Sequence, residues 1–129
     1  MSVRGEVLVL DDEPIVCERL KEDLERRRFR VETYTDSRAA IERLGGKRFD
    51  VVVTDLKMAG PNGLDVMHFV RRQGRGTQVV IITGYGSIEA AREAEFSGAF
   101  EFISKPFQMQ DLARVVARAA AKGRRLGRG

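Results

Sequence analysis

The chain has 129 residues, of which 43% are hydrophobic and 33% charged, a composition typical of one globular domain with a single core. It has one cysteine, Cys17, and one histidine, His68, so an internal disulfide framework and a His/Cys zinc site are both excluded. No apolar run approaches the roughly 20 residues that a membrane helix needs, and the first residues lack the apolar segment of a signal peptide. These features predict a cytoplasmic protein that does not contact membranes.

The net charge of +4 is unevenly distributed along the chain. Six of the 23 basic residues fall in residues 113–129, which contain no acid, so residues 1–112 carry 17 basic against 19 acidic side chains. We therefore expect a domain over residues 1–121, followed at 122–129 by a basic Arg/Gly-rich tail or the start of a linker. Such a tail is able to bind nucleic acid with a steep salt dependence, whereas the body of the domain is not expected to do so.

Short apolar runs alternate with amphipathic segments along the whole chain. The short runs predict five strands, at residues 6–10, 30–34, 51–54, 79–82 and 100–103. Each is followed by a segment of helical periodicity, and these begin near Pro14, Ser37, Leu64, Ser87 and Leu112. The apolar stripe of the first helix is assigned to Ile15, Cys17, Leu20 and Leu24. The second helix is capped by Asp36 or Ser37, and the last is expected to end before Gly123.

Five strand–helix pairs in about 120 residues predict one α/β layered sandwich with a parallel sheet and right-handed crossovers. In such sheets, ligands bind outside the carboxyl ends of the strands. Four of the five predicted strands end at side chains suited to phosphate chemistry, and these are Asp11 with Asp12, Asp55, Thr83 and Lys105. Their positions therefore predict that they converge at one edge of the sheet.

Three carboxylates at one edge repel one another, which is unfavourable for the fold but suits a hard cation such as Mg²⁺. Asp55 could then attack phosphorus as a nucleophile, while Lys105 and Thr83 contact the transferred group. Taken singly, each residue has an ordinary explanation, since an Asp pair before a helix is often only a cap. Their placement at successive strand ends favours the functional interpretation.

Four motifs give the chain a family resemblance from Val7 to Ala121. They are Val-Leu-Asp11-Asp12-Glu13-Pro14, Val-Val-Thr54-Asp55-Leu56-Lys57-Met58, Ile-Ile82-Thr83-Gly84-Tyr85-Gly86-Ser87 and Gly98-Ala99-Phe100-Glu101-Phe102-Ile103-Ser104-Lys105-Pro106-Phe107. In this order they resemble a response-regulator receiver domain of two-component signalling. The Lys-Met and Gly-Tyr-Gly-Ser details are most similar to receivers of NtrC-type sigma-54 activators. The resemblance implies a flavodoxin-like (CheY-like) three-layer sandwich, with strand order 2-1-3-4-5 and five helices.

The resemblance also implies a metal site and a phosphoacceptor. Asp55 would receive a phosphoryl group from a sensor histidine kinase or a phosphotransfer protein. Asp12, Asp55 and the backbone carbonyl of Lys57 would bind Mg²⁺ or Mn²⁺, with Asp11 acting through water. Ala59 stands where the family often has proline, a departure in the loop that supplies the Lys57 carbonyl.

For the signal itself, the resemblance implies that Thr83 and Lys105 contact the phosphoryl group and that the Lys105–Pro106 bond is cis. Phe102 occupies the family's switch-aromatic position, which is more often tyrosine, so a signal there must come from ring packing. The face formed by the fourth helix, fifth strand and fifth helix would then control an effector domain or partner, with transcription as the expected output. A homodimer on phosphorylation is a further implication, and the candidate kinase-docking residues are Val16, Arg19 and Pro106.

Other functions were weighed against this one. The chain is expected to catalyse only its own phosphorylation and dephosphorylation, and it could instead be a single-domain phosphorelay intermediate or a protein-interaction module. A Mg²⁺-dependent aspartyl phosphatase normally has Asp-x-Asp after a strand, whereas Glu13 and Lys57 stand at the corresponding positions. A flavodoxin-like cofactor site is disfavoured because the acidic run at residues 11–13 would repel a phosphate.

Overall fold

A computed structural model of the chain describes residues 2–84 and 98–127, so the predicted fourth helix lies outside the described residues. The elements in chain order are β1 (Gly5–Leu10), α1 (Pro14–Arg26), β2 (Phe29–Tyr34), α2 (Ser37–Gly46), β3 (Val51–Asp55), α3 (Gly63–Gln73), β4 (Gln78–Thr83), β5 (Glu101–Ser104) and a C-terminal helix (Met109–Gly127). The strands are all parallel and lie in the order β2-β1-β3-β4-β5, which confirms the predicted topology. None of the described helices is long and apolar enough to cross a membrane.

The central strands are apolar on both faces because helices cover the sheet on both sides. Successive side chains of a strand point to opposite faces, so Val7 and Val9 pack in one core while Leu8 and Leu10 pack in the other. The first core lies against α1 and the C-terminal helix, and the second against α2 and α3. Burial on both faces fixes the register of the strands, and therefore where each strand ends.

The placement of Ile15 in the apolar stripe of α1 is wrong. Ile15 is 56% exposed, whereas Cys17, Leu20 and Leu24 are buried as predicted. Two residues correspond to about 200° around a helix, so Ile15 and Cys17 lie on opposite faces. Val16 lies four residues before Leu20 and packs against the core instead.

The C-terminal helix also differs from its predicted extent, because it continues to Gly127 rather than ending before Gly123. Gly123 is buried, and a Cβ there would lie 2.5 Å from the carbonyl oxygen of Asp50. The missing side chain lets the helix pack directly against the start of β3. Of the basic residues that the sequence assigned to a tail, Lys122, Arg124 and Arg125 therefore lie on a helix, and Arg128 lies outside the described residues.

A group of charged contacts holds this end of the helix, and we call it the Asp50 clamp. Arg48 Nη1 donates to Asp50 Oδ1 at 2.7 Å, and Arg48 Nη2 donates to the Gly123 carbonyl at 2.5 Å. Arg124 Nε lies 3.6 Å from Asp50 Oδ2, which also accepts from the Glu6 amide at 2.8 Å. Asp50 is only 4% exposed, so its charge is neutralised by these partners rather than by water.

Gly123→Ala is expected to lower the free energy of unfolding by about 1–3 kcal/mol, because the new Cβ overlaps the Asp50 carbonyl and pushes the helix from the sheet. Urea denaturation measures this as a lower midpoint at constant slope. The matched control is Gly46→Ala at the end of α2, where an added Cβ meets nothing within 4 Å. The control should be neutral or stabilising by up to about 1 kcal/mol. Stabilisation of both variants would contradict the close packing at Gly123.

Candidate functional site

Asp11 is fixed by its backbone and by one of its two carboxylate oxygens. Its amide continues the pairing of β1 with β2 by donating to the Tyr34 carbonyl at 3.1 Å. Its Oδ1 accepts from the Glu13 amide at 2.9 Å, in the turn that leads into Pro14 and α1. Its Oδ2 is buried and has no hydrogen-bond donor among the residues of 2–84 and 98–127. A buried carboxylate oxygen without a donor is costly for the fold and is available to a ligand.

Asp55 is held at the end of β3 by neighbouring backbone. The amide of Leu56 donates to the Ile82 carbonyl at 2.9 Å and extends the pairing with β4. The first turn of α3 packs on the same point, because a Cβ on Gly63 would lie only 2.6 Å from the Asp55 carbonyl. Sequence analysis missed this role of Gly63, since a glycine after a Pro-Asn turn already has a local explanation.

The three predicted carboxylates converge as expected. Asp11, Asp12 and Asp55 each offer one oxygen, and these atoms lie within 4.8 Å of one another. Lys105 Nζ lies 3.9 Å from Asp11 Oδ2 and 3.8 Å from Asp55 Oδ2, which is within electrostatic reach of both carboxylates but too far for hydrogen bonds. Among residues 2–84 and 98–127, one ammonium therefore faces three carboxylates, which gives this part of the cluster an excess of negative charge.

Burial and charge repulsion both act against ionisation in this cluster. Burial raises the pKa of Asp11, and the charge of Asp55 raises it further, against the Glu13 amide and Lys105. Burial also raises the pKa of Asp55, against the Lys105 ammonium and the amides of Leu56 and Lys57. Because both native pKa values lie above the ordinary 3.8, the two groups reduce stability progressively as the pH rises above that value.

The chemistry of the cluster fits a hard divalent cation. Mg²⁺ prefers oxygen ligands and usually takes only one or two carboxylates, leaving positions for water or phosphate oxygens. The unsatisfied Asp11 oxygen and the charge excess are both relieved by such an ion. Asp12 is exposed at the rim of the cluster, so an ion can reach it from solvent.

Thr83 and Lys105 are brought to the same edge by the pairing of β4 with β5. The Lys105 amide donates to the Thr83 carbonyl at 2.7 Å, directly beyond the register pair of Thr83 with Ser104. The Thr83 side chain is buried, with its hydroxyl 3.4 Å from the Gly84 carbonyl. The Lys105–Pro106 bond is cis, as the resemblance implied.

The remaining candidate residues lie in different environments. Phe102 is partly buried and packs against the core on the α2–α3 side of the sheet. Arg19 and Pro106 are exposed, whereas Val16 is partly buried. Ile15, on the same helix as Val16 and Arg19, is a large apolar side chain that is 56% exposed.

In metal-free buffer at neutral pH, Asp11→Asn is expected to raise the free energy of unfolding, because one buried charge leaves the cluster. Millimolar Mg²⁺ should stabilise the wild type and have a smaller effect on the variant. Urea denaturation with and without Mg²⁺ measures both effects. Glu22→Gln removes the same charge from an exposed position on α1 and should have little effect. An Asp11→Asn variant less stable than wild type without metal would contradict this account of the cluster.

Known proteins share both the sequence pattern and the fold. The family model described as the response regulator receiver domain matches residues 7–117. The response regulator protein PilR of Pseudomonas aeruginosa is 34% identical over 116 residues, which cover 90% of this chain and 26% of PilR.

The structural comparison agrees with the sequence match. The crystal structure of a response regulator receiver domain protein from Clostridium thermocellum has a TM-score of 0.86 and 31% identity, covering 95% of this chain and 98% of that one. NtrX from Brucella abortus has a TM-score of 0.86 and 28% identity over 96% of this chain, which spans 28% of NtrX. This chain spans between about a quarter and somewhat more than half of the length of the curated relatives that it matches. The resemblance predicted from the sequence is confirmed, and the chain belongs to the response regulator receiver domain family.

Proposed function

We propose that this chain is a phosphoacceptor switch of a two-component phosphorelay, in which Asp55 receives a phosphoryl group from a sensor histidine kinase or a phosphotransfer protein. The observation that carries the proposal is the position of Asp55 at the edge of the sheet. Its Oδ2 lies 3.8 Å from the Lys105 ammonium and shares a cluster with two further carboxylates. Membership of the receiver family supports the same role.

Asp12, Asp55 and the Lys57 carbonyl would hold Mg²⁺ or Mn²⁺, with Asp11 acting through water. The fixed Oδ1 and unsatisfied Oδ2 of Asp11 are consistent with a water-mediated role. The ion supplies positive charge that offsets the charge of the three carboxylates and the phosphoryl group. Because the Lys57 ligand is a backbone carbonyl, its side chain is free to remain exposed.

The chain's own residues supply the nucleophile and part of the charge stabilisation. A carboxylate oxygen of Asp55 forms the new bond to phosphorus, while the bond from phosphorus to the donor nitrogen or oxygen breaks and the donor keeps that electron pair. The Lys105 ammonium neutralises charge on the transferred group, and the Thr83 hydroxyl donates a hydrogen bond to one of its oxygens. The chain acts on no separate substrate in this scheme.

The output follows from a change at Thr83 and Phe102. Turning the Thr83 hydroxyl toward the phosphoryl group opens space behind β4 that the ring of Phe102 is able to fill. Phe102 packs against the α2–α3 core from the neighbouring strand, which supports a role for ring packing alone. The fourth predicted helix, part of the proposed output face, lies outside the described residues.

In a cytoplasmic regulator, this output face would control an effector domain or partner, and homodimerisation on phosphorylation would use the same face. Transcription is the proposed output, because one matched relative is the transcriptional regulatory protein FixJ of Bradyrhizobium diazoefficiens. The alternative of a single-domain phosphorelay intermediate shares the chemistry at Asp55 and differs only in the output.

Incubation with Mg²⁺ and acetyl phosphate is expected to add one phosphoryl group to the wild-type chain, as detected by intact-mass spectrometry. EDTA should abolish the adduct, and Asp55→Asn should not form it, because that variant lacks the nucleophile. A chain that binds Mg²⁺ but forms no adduct would overturn self-catalysed phosphorylation from a small donor. An adduct of equal yield on Asp55→Asn would overturn the assignment of the acceptor.

Lys105→Gln is expected to slow formation of the adduct by an order of magnitude or more, because it removes the ammonium beside Asp55. The matched control is Lys57→Gln, two residues from Asp55, whose proposed contribution comes from the backbone carbonyl rather than the side chain. The rate of labelling by acetyl phosphate measures both variants. Equal slowing of the two would indicate a general effect of local charge and contradict the specific role of Lys105.

A further inference from the structure

The edge of the sheet opposite Asp55 is lined with arginine. In the segments that lead into the strands, Arg4 comes before β1, Arg28 before β2, Arg48 before β3 and Arg75 before β4. Because the strands are parallel, these segments all lie at one edge of the sheet, and the C-terminal helix ends at that edge too. We call the exposed residues Arg4, Arg28, Arg75 and Arg125 the arginine edge.

Backbone contacts join these positions into one surface. The Arg4 amide donates to the Arg28 carbonyl at 2.8 Å, so these two residues are neighbours. Arg48 Nε donates to the Arg75 carbonyl at 3.0 Å while its Nη2 bonds to Gly123, which places Arg75 beside the end of the C-terminal helix. The Asp50 clamp connects the Arg4–Arg28 pair with Arg75, because Asp50 also accepts a hydrogen bond from the Glu6 amide in β1, two residues after Arg4.

Ion pairing does not account for this surface, and helix dipoles account for only part of it. Cations in the last turn of a helix are favourable in themselves, which explains Arg26, Arg71 and Arg72 and, within the arginine edge, Arg125. Arg4, Arg28 and Arg75 lie outside the helices. Within residues 2–84 and 98–127, no acidic side chain lies within 4 Å of their guanidinium groups. Arg4 lies over the Phe29 ring at 4.9 Å, and its Nη1 donates to the Arg27 carbonyl at 3.4 Å. Among the described residues, no carboxylate offsets the charge of Arg28 or Arg75.

Arg28 is also unfavourable for its own backbone. It follows α1 with a φ of 74°, in the left-handed region where glycine is the usual residue. The backbone amide of Arg28 donates a hydrogen bond to the Glu25 carbonyl at 3.0 Å, and this hydrogen bond does not involve the arginine side chain. An arginine at this position therefore contributes charge at the expense of local stability, which indicates a role for the side chain outside the fold.

We propose that the arginine edge binds the phosphate backbone of nucleic acid. Guanidinium groups form paired hydrogen bonds to phosphate oxygens, and cations from several separate segments suit a polymer better than a single small anion. An anionic lipid surface is less favoured, because membrane binding usually adds apolar insertion. Among the described residues only Ile15 and Leu126 are large exposed apolar side chains, and only Leu126 lies at this end.

The proposal goes beyond the phosphoacceptor function and revises one expectation. The sequence predicts that nucleic acid binds, if at all, to the basic tail at residues 122–129 and not to the body of the domain. The Asp50 clamp makes residues 122–127 part of the folded body, so that basic side chains from both ends of the chain belong to one surface. Since this edge lies opposite Asp55, binding there does not require phosphorylation.

Fluorescence anisotropy of the 129-residue chain with a labelled DNA duplex of arbitrary sequence tests the proposal. Affinity should fall steeply between about 50 and 200 mM salt, and Arg28→Gly and Arg75→Gln should each reduce the slope of log affinity against log salt by about 0.9. Arg28→Gly should at the same time raise the urea midpoint, because it relieves the left-handed backbone. A gain in stability together with a loss of binding cannot result from partial unfolding.

The matched control is Arg114→Gln, which removes the same charge from an exposed position in the first half of the C-terminal helix. Equal weakening by this variant, or no binding at the lowest salt, would overturn the proposal. Tighter binding to phosphatidylglycerol vesicles than to DNA, lost in the same variants, would overturn it in favour of a lipid surface. Asp55→Asn should bind DNA as the wild type does, so failure of the phosphoacceptor function and failure of this proposal give separate results.

Discussion

The structure depends above all on three carboxylates held close together at the carboxyl edge of a buried sheet. Repulsion among Asp11, Asp12 and Asp55 opposes folding, and the ammonium of Lys105 offsets it only in part. Burial adds to this cost, as the raised pKa values of Asp11 and Asp55 show. A bound cation would offset both the repulsion and the cost of burial.

The rest of the fold supplies the rigidity that this arrangement needs. Both faces of β1, β3 and β4 are buried, so the strands cannot slide to relieve the repulsion. At the edge itself, the Glu13 amide holds one oxygen of Asp11, and α3 packs on the Asp55 carbonyl through Gly63. The amide of Lys105 ties the end of β5 to Thr83. Each contact fixes a residue of the acidic cluster or one that the proposed function places beside the phosphoryl group.

The sequence predicts the strands and their acidic ends well because both depend on local pattern. The apolar run of a buried parallel strand contains no charged residue, so the end of the strand is visible in the sequence as the first charged residue after that run, which is Asp11 after β1 and Asp55 in β3. The end of the C-terminal helix is not visible in this way. Glycine and arginine at residues 123–127 suggest a tail, and they become helical only through tertiary contacts with Asp50 and Arg48.

The error at Ile15 has a different origin. Apolar character alone assigned it to the core, although helical geometry places it opposite Cys17. The role of Gly63 depends on the close approach of two backbones, and no spacing in the sequence reports such an approach. The sequence therefore identifies residues that act through their chemistry, such as Asp55, but not residues that act through close backbone packing, such as Gly63.

The C-terminal helix runs from the acidic edge to the arginine edge. Its 19 residues span about 28 Å at the helical rise per residue, which is several times the Debye length of about 8 Å at physiological ionic strength. A charge added at Asp55 is therefore screened before it reaches the arginine edge. Any coupling between the two edges would have to be mechanical, through side chains such as Leu112 and Val116 that pack the helix on the sheet. The Asp50 clamp, which fixes the far end of that helix, is the point where such coupling would have to act.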